Sequence, residues 1–224
     1  DLDIAKLEQA TTVLLAVPDQ TLDAIARRIA RVRRPLVLLH VAGARTKNEL
    51  AAARSRGHAI GAMHPLVSFA DRKRPPALAC TTFVIAGDTD AVAAAKQIAE
   101  RLGARALVAD VHGPAYHAAA AMVANGAAAL AHAGADLLVA LGCDRTEAEL
   151  ALSGLLRSVA SNVASVGVPD ALTGPIRRGD AETVAAHRDA IERIDPSLRV
   201  VYDAAGRAIL RCAVDAGLDR DKAE

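Results

Sequence analysis

The chain has 224 residues, of which 52% are hydrophobic and 24% charged, and its net charge is +1 at pH 7. This composition excludes a disordered chain, and the balanced charge argues against nucleic acid as a partner. The three cysteines, far apart and odd in number, fit neither a disulfide framework nor a zinc site, so no metal is expected. The N-terminus lacks a signal-peptide pattern and no uncharged apolar run reaches about eighteen residues, which predicts a cytoplasmic protein with no membrane contact.

The first half of the chain alternates short apolar runs with amphipathic segments. The runs have the length and β-branched content of buried strands and cover residues 11–17, 36–42, 58–63, 81–87 and 105–110. Apolar residues recur at helical spacing in "QTLDAIARRIARV" and "DAVAAAKQIAERLG" between them. Strand and helix in alternation predict an α/β fold with a Rossmann-like parallel sheet.

The second half reads as helices alone. A long helix is predicted from Pro114 and a second one from Thr146, which stands at capping-box spacing from Glu149. Two further helices are predicted after Asp180 and after Ser197. We therefore predict two domains, an α/β domain over 1–111 and an all-helical domain over 112–224. The length and alanine content of the first helix also predict a homodimer through the helical domain.

Polar residues follow three of the predicted strands. Val17 and Pro18 end the first strand, His40 and Gly43 the second, and His64 the third. Because ligands of open parallel sheets lie beyond the carboxyl ends of the strands, these residues are candidates for a binding site. The alternative is structural, since Pro and Gly commonly end strands and a single His readily bonds to loop backbone groups.

Two helices offer further polar candidates. His117 and Asn125 are eight positions apart on the long helix, which puts them on one side. Asn162 lies in a polar stripe of the next helix. An unpaired amide or imidazole in an apolar setting costs about 1–3 kcal/mol, so these side chains need partners, either in a cleft or at neighbouring helix ends.

The segment "LTGPIRRGD" (172–180) combines turn residues with two arginines. A turn at Gly174 and Pro175 and a helix cap at Asp180 explain part of it without any function. Thr173 and Arg177 remain, and a hydroxyl beside a guanidinium suits a carboxylate or phosphate, although arginines in loops are usually solvated.

Taken together, "LLAVPD", "LHVAGA", "HPLVSF", "YHAAAAMVAN", "SNVASVG" and "LTGPIRRGD" resemble the family of domain of unknown function 2520 over nearly the whole chain. That family has a Rossmann-like half followed by a helical half, and is similar in layout to ketopantoate reductase and the hydroxyacid dehydrogenases related to 6-phosphogluconate dehydrogenase. The resemblance implies an NAD(P)-dependent oxidoreductase that reduces a small carbonyl or imine acid. It also implies that Val17, Pro18, His40 and Gly43 contact the cofactor, while Asn125 and Asn162 orient the substrate, and His64, Thr173 and Arg177 contact its polar end.

Two departures from the family pattern set the alternatives. The Gly-x-Gly-x-x-Gly turn that holds a dinucleotide does not occur, so the chain is either a fragment or a protein without that anchor. Where related dehydrogenases carry a lysine before the helix asparagine, this chain has Ala121, which leaves His117 as the expected acid. The competing hypothesis is a non-catalytic dimer that binds a small acid or no ligand.

Overall fold

The computed structural model describes residues 3–219 and divides into two compact units. The first unit runs through Ala124 and the second begins at Asn125. This division lies inside a long helix, on the C-terminal side of the boundary between residues 111 and 112 that the sequence predicts. A division into domains at 111 therefore stays a prediction about the chain.

A five-stranded sheet in chain order forms the first unit. Its strands are β1 (Thr12–Leu15), β2 (Val37–His40), β3 (Ala59–Pro65), β4 (Thr82–Gly87) and β5 (Arg105–Val108). All five predicted strands are present, each within the apolar run that predicts it or one or two residues beyond it. The α/β prediction is thereby confirmed.

The direction of the last two strands differs from the prediction. β1, β2 and β3 are parallel, and β4 is parallel to β5, but β4 runs antiparallel to β3, with Gly61 opposite Gly87. The segment 66–81 between β3 and β4 contains no helix. Without a crossover helix the chain re-enters the sheet at the edge where it left, which makes the pair antiparallel. The expectation of an all-parallel sheet was wrong at this connection.

Helices cover both faces of the sheet. The first unit contains α1 (Ile4–Leu7), α2 (Leu22–Ile29), α3 (Ala51–Arg54) and α4 (Thr89–Arg101). Leu38 belongs to a core cluster with α2, whereas its neighbour Leu39 belongs to a second cluster with α4. Because successive strand residues point to opposite faces, the two clusters are the two sides of the sheet.

The α4 face of the sheet is packed with the smallest residues. Ala91, Ala95 and Ala99 of α4 are fully buried. A Cβ on Gly87 would lie 2.7 Å from the Ile60 carbonyl oxygen and 3.2 Å from the Cβ of Ala91. With only 2% aromatic residues, the chain builds its core by this close approach of helix and sheet rather than by large side chains.

The second unit and the helix that leads into it consist of helices alone. They are α5 (Pro114–Ala140), α6 (Arg145–Val166), α7 (Pro175–Arg178), α8 (Ala181–Ile194) and α9 (Pro196–Asp215). α5 begins at Pro114 as predicted and continues through its two glycines.

Two helix starts differ from the predictions. Asp144 caps α6 by accepting from the backbone N–H of Thr146, so the expected capping box at Thr146 was wrong. Asp195 caps α9 from one residue before Pro196, and the start after Ser197 was also misplaced. In both places an aspartate earlier in the chain begins the helix, because its charged carboxylate accepts from the first free N–H groups.

The helix α5 is long and apolar enough to cross a membrane by length and composition alone. One such helix is weak evidence, because a core helix of a soluble protein passes the same test. Here almost none of its most apolar stretch is buried within the chain.

Gly87→Ala tests the close packing beneath α4. We expect the free energy of unfolding to fall by about 1–3 kcal/mol, because the new methyl group meets backbone atoms rather than movable side chains. Gly126→Ala is the matched control, since nothing lies within 4 Å of its Cβ position and alanine favours the α5 helix by up to about 1 kcal/mol. Urea unfolding of both variants gives the comparison, and equal stabilities would contradict this account of the core.

Candidate active site

The carboxyl ends of β1, β2 and β3 carry the predicted residues of the first unit. His40 is the last residue of β2, and His64 is the next-to-last residue of β3. The loop after β2 then brings Gly43 against the His64 ring, where a Cβ on Gly43 would lie 2.7 Å from Nε2. Three residues predicted from strand ends are thus neighbours in the fold.

The end of β1 supplies the other two predicted residues of this edge. Val17 is half-buried and packs against the core. Pro18 is exposed, and its carbonyl accepts hydrogen bonds from the Thr21 backbone and hydroxyl at 2.9 and 2.7 Å. These bonds close a 3₁₀ turn over Asp19–Thr21, directly before α2. The Asp19 carboxylate lies 3.8 Å from the Arg45 guanidinium.

The segment between β5 and α5 returns to this same edge. The Gly113 backbone N–H donates to the Gly43 carbonyl at 3.2 Å. Lys47 and Asp110 form an ion pair at 2.5 Å between the loop after β2 and the returning segment. Together these contacts hold the start of α5 beside the carboxyl ends of β2 and β3.

The first turn of α5 contributes two side chains to the edge. Tyr116 is hydrogen-bonded through its hydroxyl to Nδ1 of His64 at 2.7 Å. The exposed ring of His117 lies 6.3 Å from the His64 ring, centre to centre. The predicted acid and the predicted substrate contact are therefore adjacent.

His40 combines a structural bond with an unused atom. The side chain is fully buried, and its Nε2 lies 3.0 Å from the Thr46 carbonyl oxygen. This is the loop contact that the structural alternative predicts. Its Nδ1 is also buried, and no described residue is a hydrogen-bond partner for it. Burial lowers the pKa of His40, so the ring is neutral at pH 7.

The site contains a fourth histidine, which was not predicted from the sequence. His112 is 7% exposed, and neither of its ring nitrogens has a partner among the described residues. Its ring lies 5.2 Å from the Tyr116 ring. Burial, with smaller contributions from the charges of His40 and His64, lowers the pKa of His112 to about 4.

Three neutral imidazoles, those of His40, His64 and His112, lie beside one phenol at this edge. Burial lowers the pKa of His64, with a smaller effect from the charge of His117, and burial raises the pKa of Tyr116 to about 12. Within residues 3–219, no three His, Cys, Asp or Glu side chains have an arrangement that could hold a metal ion. The arrangement can donate and accept hydrogen bonds with an uncharged or anionic ligand and can pass a proton to it.

The remaining predicted residues belong to the second unit. Asn125 and Asn162 are exposed on α5 and α6. Thr173 and Arg177 line one open hollow together with Arg178, but the Arg177 guanidinium also donates to the Ala216 carbonyl at 2.9 Å. Arg177 therefore stabilises the end of α9, whatever else it contacts.

The turn segment of the second unit is more regular than the sequence suggests. Pro175 begins the single helical turn α7, with Gly174 at φ +100° before it, rather than lying inside a plain reverse turn. Asp180 caps α8 as predicted by accepting from the Thr183 backbone at 3.0 Å. The ring of His187 on α8 is hydrogen-bonded to the Tyr202 hydroxyl at 3.0 Å.

Two residues of this site, Tyr116 and His112, were not predicted from the sequence. Tyr116 is one of only two tyrosines in the chain, and His112 follows a strand directly in "ADVHGP". Rarity and strand-end position were the available signals. Their place at this edge depends on the segment after β5, because β5 itself runs antiparallel to β3 and ends toward the opposite edge of the sheet.

Comparisons with known proteins identify the family of the chain and solved structures that share its fold. A family model described as Domain of unknown function (DUF2520) matches residues 81–209. A protein of Thermotoga maritima is 27% identical with a TM-score of 0.72, covering 92% of this chain and 78% of its own. A candidate NADP oxidoreductase of Bacteroides fragilis is 22% identical, with a TM-score of 0.66 and coverages of 90% and 76%.

More distant structures share the fold. Pyrroline carboxylate reductase of Plasmodium falciparum, solved with NADP bound, is 12% identical with a TM-score of 0.58, over 95% of this chain and 81% of its own. No curated protein sequence matches the chain.

The buried histidines predict a loss of stability in acid. Burial lowers the pKa of His40, His58, His64 and His112 in the folded chain, so below about pH 6.5 the unfolded chain binds more protons. Stability is therefore full above pH 6.5 and falls as the pH drops toward 4. For His112 alone the loss at pH 5 is about 2 kcal/mol.

His112→Phe should reduce the difference in unfolding free energy between pH 7.5 and pH 5. His132→Phe is the control, because the His132 side chain is 73% exposed. Urea unfolding at the two pH values measures both, and an unchanged pH dependence in His112→Phe would refute the assignment.

Proposed function

We propose that this chain, which belongs to the DUF2520 family, acts as an NAD(P)-dependent reductase of the C=O or C=N bond of a small acid. The observation that carries the proposal is the group of neutral imidazoles and one phenol at the carboxyl edge of β1–β3. This is the edge where parallel α/β sheets bind their ligands. The fold shared with NADP oxidoreductases and pyrroline carboxylate reductases supports the same reaction class.

The described residues fit the nicotinamide end of the cofactor. When bound, NAD(P)H would supply the hydride. Val17, Pro18, His40 and Gly43 would contact its ribose or carboxamide, and the unpartnered Nδ1 of His40 offers a buried hydrogen-bonding atom there. Residues 3–219 contain no glycine-rich turn between strand and helix for the pyrophosphate. These residues would therefore hold only that end of the dinucleotide.

His117 is the proposed proton donor to the reduced atom. Its ring is exposed and adjacent to His64, so it can reach a ligand at this edge while exchanging protons with solvent. His64 would contact the polar end of the substrate. Thr173 and Arg177 fit a carboxylate by their chemistry, and Asn125 and Asn162 would orient the substrate.

A second copy of the chain is the proposed partner of the helical part. Large apolar side chains are exposed along α5 and α6: Met122, Val123, Leu130, Val139, Leu150, Leu155, Leu156, Val159, Val163 and Val166. Apolar surface of this extent is typical of an interface. A membrane is the less favoured cover, because Asp136 in α5 pairs with Arg145 at 2.6 Å and such charges are costly in lipid. A cytoplasmic location accords with this proposal.

Cofactor binding is the first test of the proposal. We expect NADPH fluorescence to change on titration with the chain extended by its upstream coding sequence. The same titration of residues 1–224 measures how much affinity the nicotinamide contacts supply alone. Failure of the extended form to bind NADPH or NADH would favour the non-catalytic alternative.

His117→Ala tests the acid. We expect turnover of a small imino or keto acid to fall by about 100-fold, the usual scale of general acid catalysis, with NADPH affinity unchanged. His132→Ala removes an exposed histidine from the same helix and should leave turnover intact. Equal rates for both variants would rule His117 out.

Leu155→Glu tests the dimer. The side chain is 59% exposed within one chain, so a charge there should leave the fold intact but separate two copies. Light scattering after size exclusion should show a dimer for the unchanged chain and for Arg157→Glu, and a monomer for Leu155→Glu. A monomeric unchanged chain would overturn the proposed interface.

A further inference from the structure

We propose that Tyr116 is a positioning residue that holds His64 in one tautomer, so that His64 directs an Nε2–H donor to an oxygen of the ligand beside Gly43. The inference rests on the proposed function for the identity of the ligand. The geometry of the Tyr116–His64 pair does not depend on that proposal.

The contact between the two side chains is short and well oriented. The Tyr116 hydroxyl oxygen and His64 Nδ1 are 2.7 Å apart. The two rings lie edge to face, with an interplanar angle of 86°. Both side chains are half-buried, so water competes only partly for this bond.

The chemistry of the two groups decides which one donates. A phenol is a stronger acid than a neutral imidazole N–H, and an imidazole lone pair is a stronger base than a phenol oxygen. The stable arrangement is therefore Tyr116 O–H donating to an unprotonated Nδ1. The single proton of neutral His64 must then lie on Nε2, because a hydrogen bond at one ring nitrogen sets the state of the other.

The protonated Nε2 lies at the carboxyl edge of the sheet. It lies beside Gly43, whose missing side chain leaves the room that the imidazole occupies, since a Cβ there would be 2.7 Å away. No group in the described part of the chain accepts a hydrogen bond from Nε2. Nε2–H is thus a donor fixed in direction, next to the residues proposed to contact the nicotinamide ribose.

Burial keeps the His64 ring neutral, and the charges of His117 and His40 add to this effect while that of Asp19 opposes it. His117 faces His64 from α5, His40 from β2 and His112 from the returning segment, and none of these adds a negative charge. Asp19, after β1, is the carboxylate that acts on His64. A neutral donor at this position fits a carbonyl or carboxylate oxygen of the substrate, on which negative charge increases during reduction.

The wild-type chain provides the first test. Long-range ¹H–¹⁵N NMR spectra of the imidazole rings at pH 7.5 should show His64 with a protonated Nε2 and an unprotonated Nδ1. A His64 protonated at Nδ1, or an even mixture of tautomers, would overturn the inference. This measurement needs neither cofactor nor substrate.

Tyr116→Phe provides the second test. Loss of the phenol removes a bond that stabilises neutral His64, so the titration midpoint of His64 should rise and its tautomers should mix. Tyr202→Phe is the matched control, because Tyr202 makes the same contact to His187 Nδ1 at 3.0 Å. It should change His187 and leave His64 as it was. An unchanged His64 in Tyr116→Phe would contradict the positioning role.

The two proposals fail in different ways. If NADPH does not bind but His64 of the wild-type chain has a single tautomer, the positioning role of Tyr116 is supported and the reductase proposal is refuted. If reduction occurs, Tyr116→Phe should move the acidic limb of the kcat/KM profile to higher pH, which a purely structural role would not do. A profile that stays in place would refute the contribution of the pair to catalysis.

Discussion

The attachment of the first turn of α5 to the sheet edge is the constraint on which the candidate site depends. Two hydrogen bonds and one ion pair provide it: Gly113 N–H to the Gly43 carbonyl, the Tyr116 hydroxyl to His64, and Lys47 to Asp110. Each hydrogen bond is worth about 1 kcal/mol, so the attachment is modest in energy but specific in direction. Without it, the ends of β2 and β3 would carry isolated histidines, and no group from α5 would face them.

Burial and proximity together give the site its chemical character. Burial disfavours a positive charge on His40, His64 and His112, and the charges of neighbouring histidines add to this effect at His64 and His112. They remain neutral at pH 7 and act as hydrogen-bond donors and acceptors. A bound anion would reverse this balance, because negative charge among them would favour protonation. The arrangement thus suits a ligand that gains negative charge as it reacts.

The sequence predicted the strands and most helices because their apolar periodicity is local. The shared position of His40, Gly43 and His64 could also be predicted, since three consecutive parallel strands end at the same edge of the sheet. It missed the reversal at β4, because strand direction depends on whether residues 66–81 form a helix. His112 and Tyr116 reach the site through the segment that returns from β5, and no local pattern in the sequence indicates that return. Helix caps were misplaced by one or two residues where an aspartate precedes a hydroxyl.

The scarcity of aromatic residues makes the two tyrosines informative. The core is filled by alanine and glycine contacts such as Gly87 against Ala91, so tyrosine is not needed there as bulk. Both tyrosines instead contact a histidine Nδ1, with nearly perpendicular rings. Tyr202 does so between α8 and α9, where the pair joins two helices. Tyr116 does so beside two other imidazoles with unpartnered nitrogens, where the same bond leaves a donor directed at the strand edge.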